Sequence, residues 1–229
     1  FNLQKKNQYS FINEKLKKDF KRRHLSGKLV VPNIKEYQRF KSKIKNAYII
    51  SDINDENMSN VYELSKLINI NNTSLIKSLK TFIGLSHRYE IFFKKKNCTF
   101  INDSKATSFK ATQLALKNTK NIYWIVGGLP KKKDKLAVKS LKKNIIKTYI
   151  IGKHVNFFKK QLKDQVNFTI TKNLRNSIVQ ILKDIKHYNK KYNTILFSPS
   201  SASFDQYLNF EKRGEDFKKL SKLYGRKYI

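Results

Sequence analysis

The chain has 229 residues, 39% of them hydrophobic, which is enough apolar material for a packed core. Its formal net charge is +34, and its apolar runs are far shorter than the roughly 18 residues of a membrane-spanning helix. The single cysteine, Cys98, excludes an internal disulfide framework and favours a reducing compartment, and one cysteine with four scattered histidines argues against a structural zinc site.

The first third of the chain has the pattern of short strands followed by two helices. Runs of β-branched or aromatic residues predict strands at 9–12, 28–32 and 48–50. From Asn57 onward the apolar residues recur at helical spacing. A second helix is expected to start at a Thr73 cap and to end at Gly84.

After Gly84 the pattern becomes that of an α/β domain. Two apolar runs separated by KKKN, at 89–93 and 99–101, predict an antiparallel hairpin. Further strands are predicted at 121–126, 147–151, 166–170 and 194–197, and helices at 110–117, 136–143, 174–187 and 205–224. Alternating strands and helices are typical of an open parallel sheet covered by helices. We therefore expect a domain boundary near residues 83–88.

Two of the predicted strands end in loops with anion-binding groups, at the sheet edge where α/β proteins bind ligands. NDSKAT, residues 102–107, offers Asp103, Lys105 and Thr107 just before a helix. GGLPK, residues 127–131, joins paired glycines, which allow close approach of the backbone to a ligand, to Lys131. Each loop also has a structural explanation, as a helix cap in the first case and a tight turn in the second.

A third predicted strand is followed by SPSSASFDQ, residues 198–206. This loop leads into the predicted helix, whose first turn would carry Ser203 and Asp205 and whose free backbone N–H groups would favour a carboxylate or phosphate. The structural alternative is an N-cap ahead of a docking helix, with Phe204 and Phe210 in the core. Three such loops on one sheet favour a site for an acidic small molecule.

At these loops the sequence resembles the Mur ligase family. NDSKAT, the paired glycines with a nearby lysine, and SPSSASFDQYLNFEKRG at 198–214 are similar to the family's C-terminal domain, above all in its D-glutamate-adding members. GLSHRYE at 84–90 is similar to the segment that opens that domain, and ENMSN at 56–60 to a helix start in the central domain. The resemblance covers most of the chain and is most specific at 198–214.

The resemblance implies an α/β fold in two parts. Residues 84–229 would be the Rossmann-like C-terminal Mur ligase domain, which has a mostly parallel sheet and binds the amino acid. Residues 1–83 would be the second half of the central α/β ATPase domain. The family's P-loop, carboxylated lysine, Mg²⁺-binding residues and UDP-binding domain have no counterpart here, so we expect Phe1 to be an internal residue of a longer protein and the chain alone to form no acyl phosphate.

The activity that the resemblance implies is an ATP-dependent amide ligation in peptidoglycan synthesis, carried out in the cytoplasm by a monomer. The carboxylate of UDP-N-acetylmuramoyl-L-alanine attacks ATP, Mg²⁺ offsets charge on the phosphates, and the amine of D-glutamate attacks the resulting acyl phosphate. No dedicated nucleic acid and no membrane is expected as a partner.

The family's binding residues carry over to this sequence by position. Three positions match the nucleotide contacts: Asn57, Arg88 and Asp103, the last toward the ribose hydroxyls. Six match contacts to the incoming D-glutamate: Thr107, Lys131, Ser203, Lys105 and, near the backbone, Phe204 and Phe210. The resemblance implies no metal ligand and no certain catalytic residue within this stretch. At Glu56 the family usually has a histidine.

Two alternatives stay open. Another Mur or folylpolyglutamate-type ligase would share the fold, and exchanging D-glutamate for other amino acids in an assay would separate the two. The +34 charge would also suit a nucleic-acid-binding protein. However, the chain has 43 lysines and only 7 arginines, with 24 isoleucines and 23 asparagines. AT-rich codons produce this bias, and proteins that read nucleic acids favour arginine, so a solvated lysine surface explains the charge.

Overall fold

The computed structural model describes residues 3–46, 49, 52–188 and 190–228. It divides into two compact units, Phe1–Gly84 and Leu85–Ile229, which we call the amino-terminal and carboxyl-terminal units. Most of the strand predicted at 48–50 lies outside the described residues, because only Ile49 of that run is among them.

The described residues of the amino-terminal unit form a two-stranded parallel sheet and four α-helices. Its elements are β1 (Tyr9–Phe11), α1 (Lys17–Arg22), β2 (Lys28–Val30), α2 (Ile34–Lys41), α3 (Asp55–Leu67) and α4 (Asn72–Thr81), with single 3-10 turns at Glu14–Leu16 and Asp52–Asn54. Its core packs α2 and α3 against α4 through Tyr37, Phe40 and Leu79. The cap of α4 is Asn71, whose Oδ1 accepts from Ser74 N at 2.8 Å. The prediction of Thr73 was therefore wrong, because asparagine is the stronger capping residue and stands earlier in the chain.

The carboxyl-terminal unit is a six-stranded sheet covered by helices. Its elements are β3 (Glu90–Lys95), β4 (Cys98–Asn102), α5 (Phe109–Asn118), β5 (Ile122–Gly127), β6 (Ile145–Ile151), α6 (Val155–Leu162), β7 (Phe168–Lys172), α7 (Leu174–Tyr188), β8 (Asn193–Phe197) and α8 (Phe210–Tyr228). The strand order is β3-β4-β8-β5-β6-β7. Only the β3–β4 hairpin is antiparallel among these pairs. The predicted α/β fold with a mostly parallel sheet is confirmed.

The two central strands of this sheet are the most buried. Every residue of β5 and β8 is buried, as expected for parallel strands covered on both faces. On one face, α7 and α8 pack against the sheet through a core that includes Tyr149, Phe197 and Phe217. None of the described helices has the length and apolar character needed to cross a membrane.

Two helix predictions in this unit differ from the structure, and one of its helices was missed. The helix expected at 136–143 is only a 3-10 segment at Lys139–Asn144, since the side-chain oxygens of Gln161 in α6 and of Gln165 just after it accept from Leu136 N and Val138 N, which are thereby bonded outside a helix. Helix α6 itself was not predicted. Helix α8 begins at Phe210, not at 205, because Asn209 Oδ1 accepts from Lys212 N at 2.8 Å and caps it there.

Candidate functional site

The three loops identified in the sequence leave three neighbouring strands. β8 lies between β4 and β5 in the sheet, so the β4 loop (103–108), the β8 loop (198–209) and the β5 loop (128–138) emerge side by side. Backbone bonds join them: Asp103 N donates to Phe197 O at 2.8 Å, and Leu129 and Ala202 exchange bonds at 2.9 and 3.0 Å. The prediction that these loops share one sheet edge is confirmed.

Asp103 links the β4 loop to the segments on either side of it. Its Oδ2 accepts from Ser198 Oγ at 2.6 Å, and its Oδ1 accepts from Tyr89 N at 3.1 Å. The side chain is buried. Burial is the dominant cause that raises the pKa of Asp103 to about 7, although the Ser198 hydroxyl, the Tyr89 N–H and the charge of Arg88 all oppose the shift. The carboxyl group therefore organises the loops, and its contact with a ribose stays a prediction.

The buried carboxyl of Asp103 should make the fold less stable as pH rises. Because its pKa is higher in the folded chain than the ordinary value of 3.8, its contribution is fully present below pH about 4 and is lost as pH rises through 7. We expect the free energy of unfolding of the wild type to fall relative to that of Asp103→Asn between pH 4 and 8. Trp124 is the only tryptophan and lies buried in β5, so its fluorescence in urea titrations reports on this unit. If the free energy of unfolding of the wild type instead stays constant or rises relative to that of Asp103→Asn, the raised pKa of Asp103 is contradicted.

A buried network holds the segment 85–89, which carries Arg88. His87 O accepts from Lys105 N at 3.0 Å, and His87 Nδ1 lies 2.9 Å from Asn102 Nδ2. Because the amide donates, Nδ1 is the acceptor and the ring is neutral, and burial lowers the pKa of His87. The side chain of Arg88 itself is exposed. Its loop is thus fixed against the β4 loop while its guanidinium stays accessible to a ligand.

The residues predicted to bind D-glutamate lie on the three joined loops and at the start of α8. Lys105 and Lys131 are exposed, Thr107 is half-buried and Ser203 is buried. Phe210 is half-buried, and Lys105 Nζ lies 4.7 Å from its ring centre. The side chain of Phe204 is 69% exposed, so the interpretation of Phe204 as a core residue was wrong.

Asn57 lies apart from these residues in the chain. It is exposed in the first turn of α3, in the amino-terminal unit. Its nucleotide contact stays a prediction. Among the described residues, no group of three or more His, Cys, Asp or Glu side chains is arranged to hold a metal ion.

Two residues at this edge were not singled out from the sequence. Ser198 bonds Asp103, and its carbonyl accepts from Trp124 Nε1 at 2.8 Å. Arg213 of α8 is almost completely buried and bonds both the β4 and β8 loops. No local pattern marks Arg213 in the sequence, because the residues that its guanidinium bonds lie in the β4 and β8 loops, outside α8.

Comparison with known proteins shows similarity to curated UDP-N-acetylmuramoylalanine--D-glutamate ligases. The chain is 37% identical over 169 residues to that of Rickettsia felis, covering 74% of this chain and 38% of that protein. It is 38% identical over 168 residues to that of a Wolbachia of Brugia malayi, covering 72% and 33%, and 37% identical over 150 residues to that of Agrobacterium fabrum, covering 66% and 32%. The chain thus matches roughly a third of the length of these relatives.

Among solved structures, a MurF ligase from Thermotoga maritima in complex with ADP aligns with a TM-score of 0.48 and 16% identity, over 72% of this chain and 38% of that chain. No family model matches the chain.

Proposed function

We propose a function for this chain from the family to which it belongs. Its sequence is similar to curated Mur ligases over about three quarters of its length, and the chain belongs to the Mur ligase family. The chain would be part of an ATP-dependent ligase that adds D-glutamate to UDP-N-acetylmuramoyl-L-alanine in peptidoglycan synthesis. The carboxyl-terminal unit would receive the amino acid, and the amino-terminal unit would be a part of the central ATPase domain.

The observation that supports this proposal is the meeting of three loops at one sheet edge. The exposed lysines of the β4 and β5 loops, Lys105 and Lys131, can each pair with a carboxylate. Thr107 and Ser203 add hydroxyl donors on the β4 and β8 loops. Two cations and two hydroxyls match an amino acid with two carboxylates better than they match a neutral one.

The nucleotide would lie beside the same edge. Arg88 is exposed on a loop that is bonded to the β4 loop, and its guanidinium suits a phosphate. Asp103 would accept a ribose hydroxyl. ATP, when bound, would supply the phosphoryl group that converts the carboxylate of UDP-N-acetylmuramoyl-L-alanine into an acyl phosphate, with ADP as the leaving group. The residues of this chain would bind and orient D-glutamate so that its amine is held against the acyl phosphate.

The described residues contain no group of three or more His, Cys, Asp or Glu side chains that could hold a Mg²⁺ ion. The groups that activate the carboxylate would have to come from residues outside this sequence. On this proposal the chain alone releases no phosphate in the presence of ATP and the two substrates.

Binding of D-glutamate to the 229-residue chain tests the proposal. We expect saturable binding in calorimetry at about 150 mM salt, where exposed charges are largely screened. L-glutamate is the matched control, because it carries the same charges with the opposite configuration at Cα. Equal binding of the two isomers would show attraction of anions to a basic surface, and no binding of either would contradict the proposed amino-acid site.

A further inference from the structure

Arg213 lies in the first turn of α8, and 1% of its surface is exposed. Its guanidinium bonds two of the three loops. Nη2 donates to Ser104 O at 2.8 Å and to Ser201 O at 3.0 Å, and Nε donates to Ser104 Oγ at 3.1 Å. A planar guanidinium with fixed donor directions can hold three acceptors at once, which a lysine ammonium on a flexible stem cannot do with the same geometry.

The same guanidinium packs against the β5 loop. A Cβ atom at Gly128 would lie 3.1 Å from Arg213 Nη1, 2.6 Å from Ser201 Oγ and inside the contact distance of Ala202 O. Gly128 also has φ +133°, which side-chain-bearing residues rarely adopt. The glycine thus lets the β5 loop close onto Arg213, and one side chain touches all three loops.

The positive charge of Arg213 has no acidic partner among the described residues. None of the ion pairs formed by the described residues includes Arg213, and its Nη1 is buried without a hydrogen-bond partner. The charge of Asp205 raises the pKa of Arg213, but the carboxylate of Asp205 forms no hydrogen bond to the guanidinium. Its Oδ2 accepts from Lys153 N at 2.9 Å. Burial lowers the pKa of Arg213 only to about 10, so the group is charged at neutral pH.

A buried cation without a counter-charge is costly, and a nearby anion would relieve that cost. The loops that Arg213 joins carry Lys105, Thr107, Lys131 and Ser203. We propose that Arg213 determines specificity at the amino-acid site: it fixes the three loops in one arrangement, and its unpaired charge makes the site prefer an amino acid with an anionic side chain over the neutral amide. This inference rests on the proposed function.

The test compares D-glutamate with D-glutamine, which has the same size but no side-chain charge. Dissociation constants for both are measured by calorimetry on the 229-residue wild type, Arg213→Met, Arg213→Lys and Arg226→Met. Arg226 lies exposed on the same helix, so Arg226→Met is the matched control for the loss of one positive charge. The buried Trp124 and a thermal melt report whether each variant is folded.

In the wild type and in Arg226→Met we expect D-glutamate to bind more tightly than D-glutamine. In Arg213→Met that preference should fall by about tenfold. Arg213→Lys should keep the preference but bind both ligands about tenfold more weakly, because the charge stays while the three hydrogen bonds of the guanidinium are lost. A purely structural side chain would weaken both ligands equally in Arg213→Met and leave the ratio unchanged.

Two results would overturn the inference: a folded Arg213→Met with the wild-type preference, or an Arg213→Lys that binds both amino acids like the wild type. If Arg213→Met does not fold, Arg213→Gln takes its place, because glutamine keeps N–H donors without the charge; a folded Arg213→Gln with the wild-type preference overturns the inference, and a reduced preference supports it. Failure of the wild type to bind D-glutamate contradicts the proposed function instead, so the two failures are distinguishable.

Discussion

Replacing Lys131 with methionine is expected to weaken the binding of D-glutamate by about 10- to 100-fold, which is the usual value of a hydrogen bond to a charged group. The side chain of Lys131 is exposed on the β5 loop and can reach an anion at the sheet edge. The turn that presents it is held by its backbone, since Lys131 O accepts from Asp134 N at 3.0 Å. Methionine keeps most of the length of the side chain and removes its charge and N–H donors, so the loop should keep its shape.

The neighbouring lysine provides the control for this change. Lys132 is also exposed and follows Lys131 directly, so Lys132→Met removes the same charge from almost the same place. Calorimetry with D-glutamate should show wild-type binding for Lys132→Met. Equal losses in the two variants would mean that the lysine run acts only as a diffuse positive surface, and the assigned role of Lys131 would then be wrong.

Replacing Gly127 with alanine is expected to destabilise the carboxyl-terminal unit by about 3 kcal/mol or more. Gly127 ends β5 with φ +137°, and a Cβ atom there would lie inside the contact distance of Ile151 O, 2.8 Å from Ile151 C and 2.9 Å from Ile151 N. The atoms that it meets belong to the backbone of β6, so no side chain can move aside. Relief of the clash requires β5 and β6 to separate at the edge that carries the loops.

Urea denaturation followed by the fluorescence of Trp124 measures this effect, because that residue lies three positions earlier in the same strand. Leu129→Ala serves as the control, since Leu129 is two residues further on and 39% exposed. We expect its free energy of unfolding to stay within about 1 kcal/mol of the wild-type value. A urea midpoint of Gly127→Ala close to that of Leu129→Ala would contradict the expected destabilisation and show that β5 accommodates the added Cβ atom.

The sheet could be predicted from the sequence because its strands carry strong local patterns. β5 is a continuous apolar run and β8 ends in one, Ile195–Phe197, and each was placed within a residue or two. The segment at 136–143 was misassigned because its lysine-rich pattern is compatible with a helix, whereas Gln161 and Gln165, distant in sequence, bond its backbone. Such bonds between distant residues leave no periodic signal in the segment that they shape.

The candidate site could be predicted only in part for a similar reason. The loops were visible because ligand-binding edges of parallel sheets have a known location and a recognisable composition. The strand order, with β8 between β4 and β5, brings those loops together, and no local pattern specifies that order. The contacts of Arg213 depend on the same order and on the entry of α8 at Phe210, five residues later than expected.

The position of β8 also has a consequence for biosynthesis. β8 comes after every other strand that the structure describes, yet it pairs on both sides within the sheet. While a ribosome adds the 66 residues from Gly127 to Asn193, which takes roughly 3 to 13 seconds, β4 and β5 of the nascent chain lack the partner that will cover their inner edges. Exposed strand edges recruit other chains. We therefore expect this chain to be most prone to aggregate before β8 is synthesised, and a chaperone that shields strand edges would matter most in that interval.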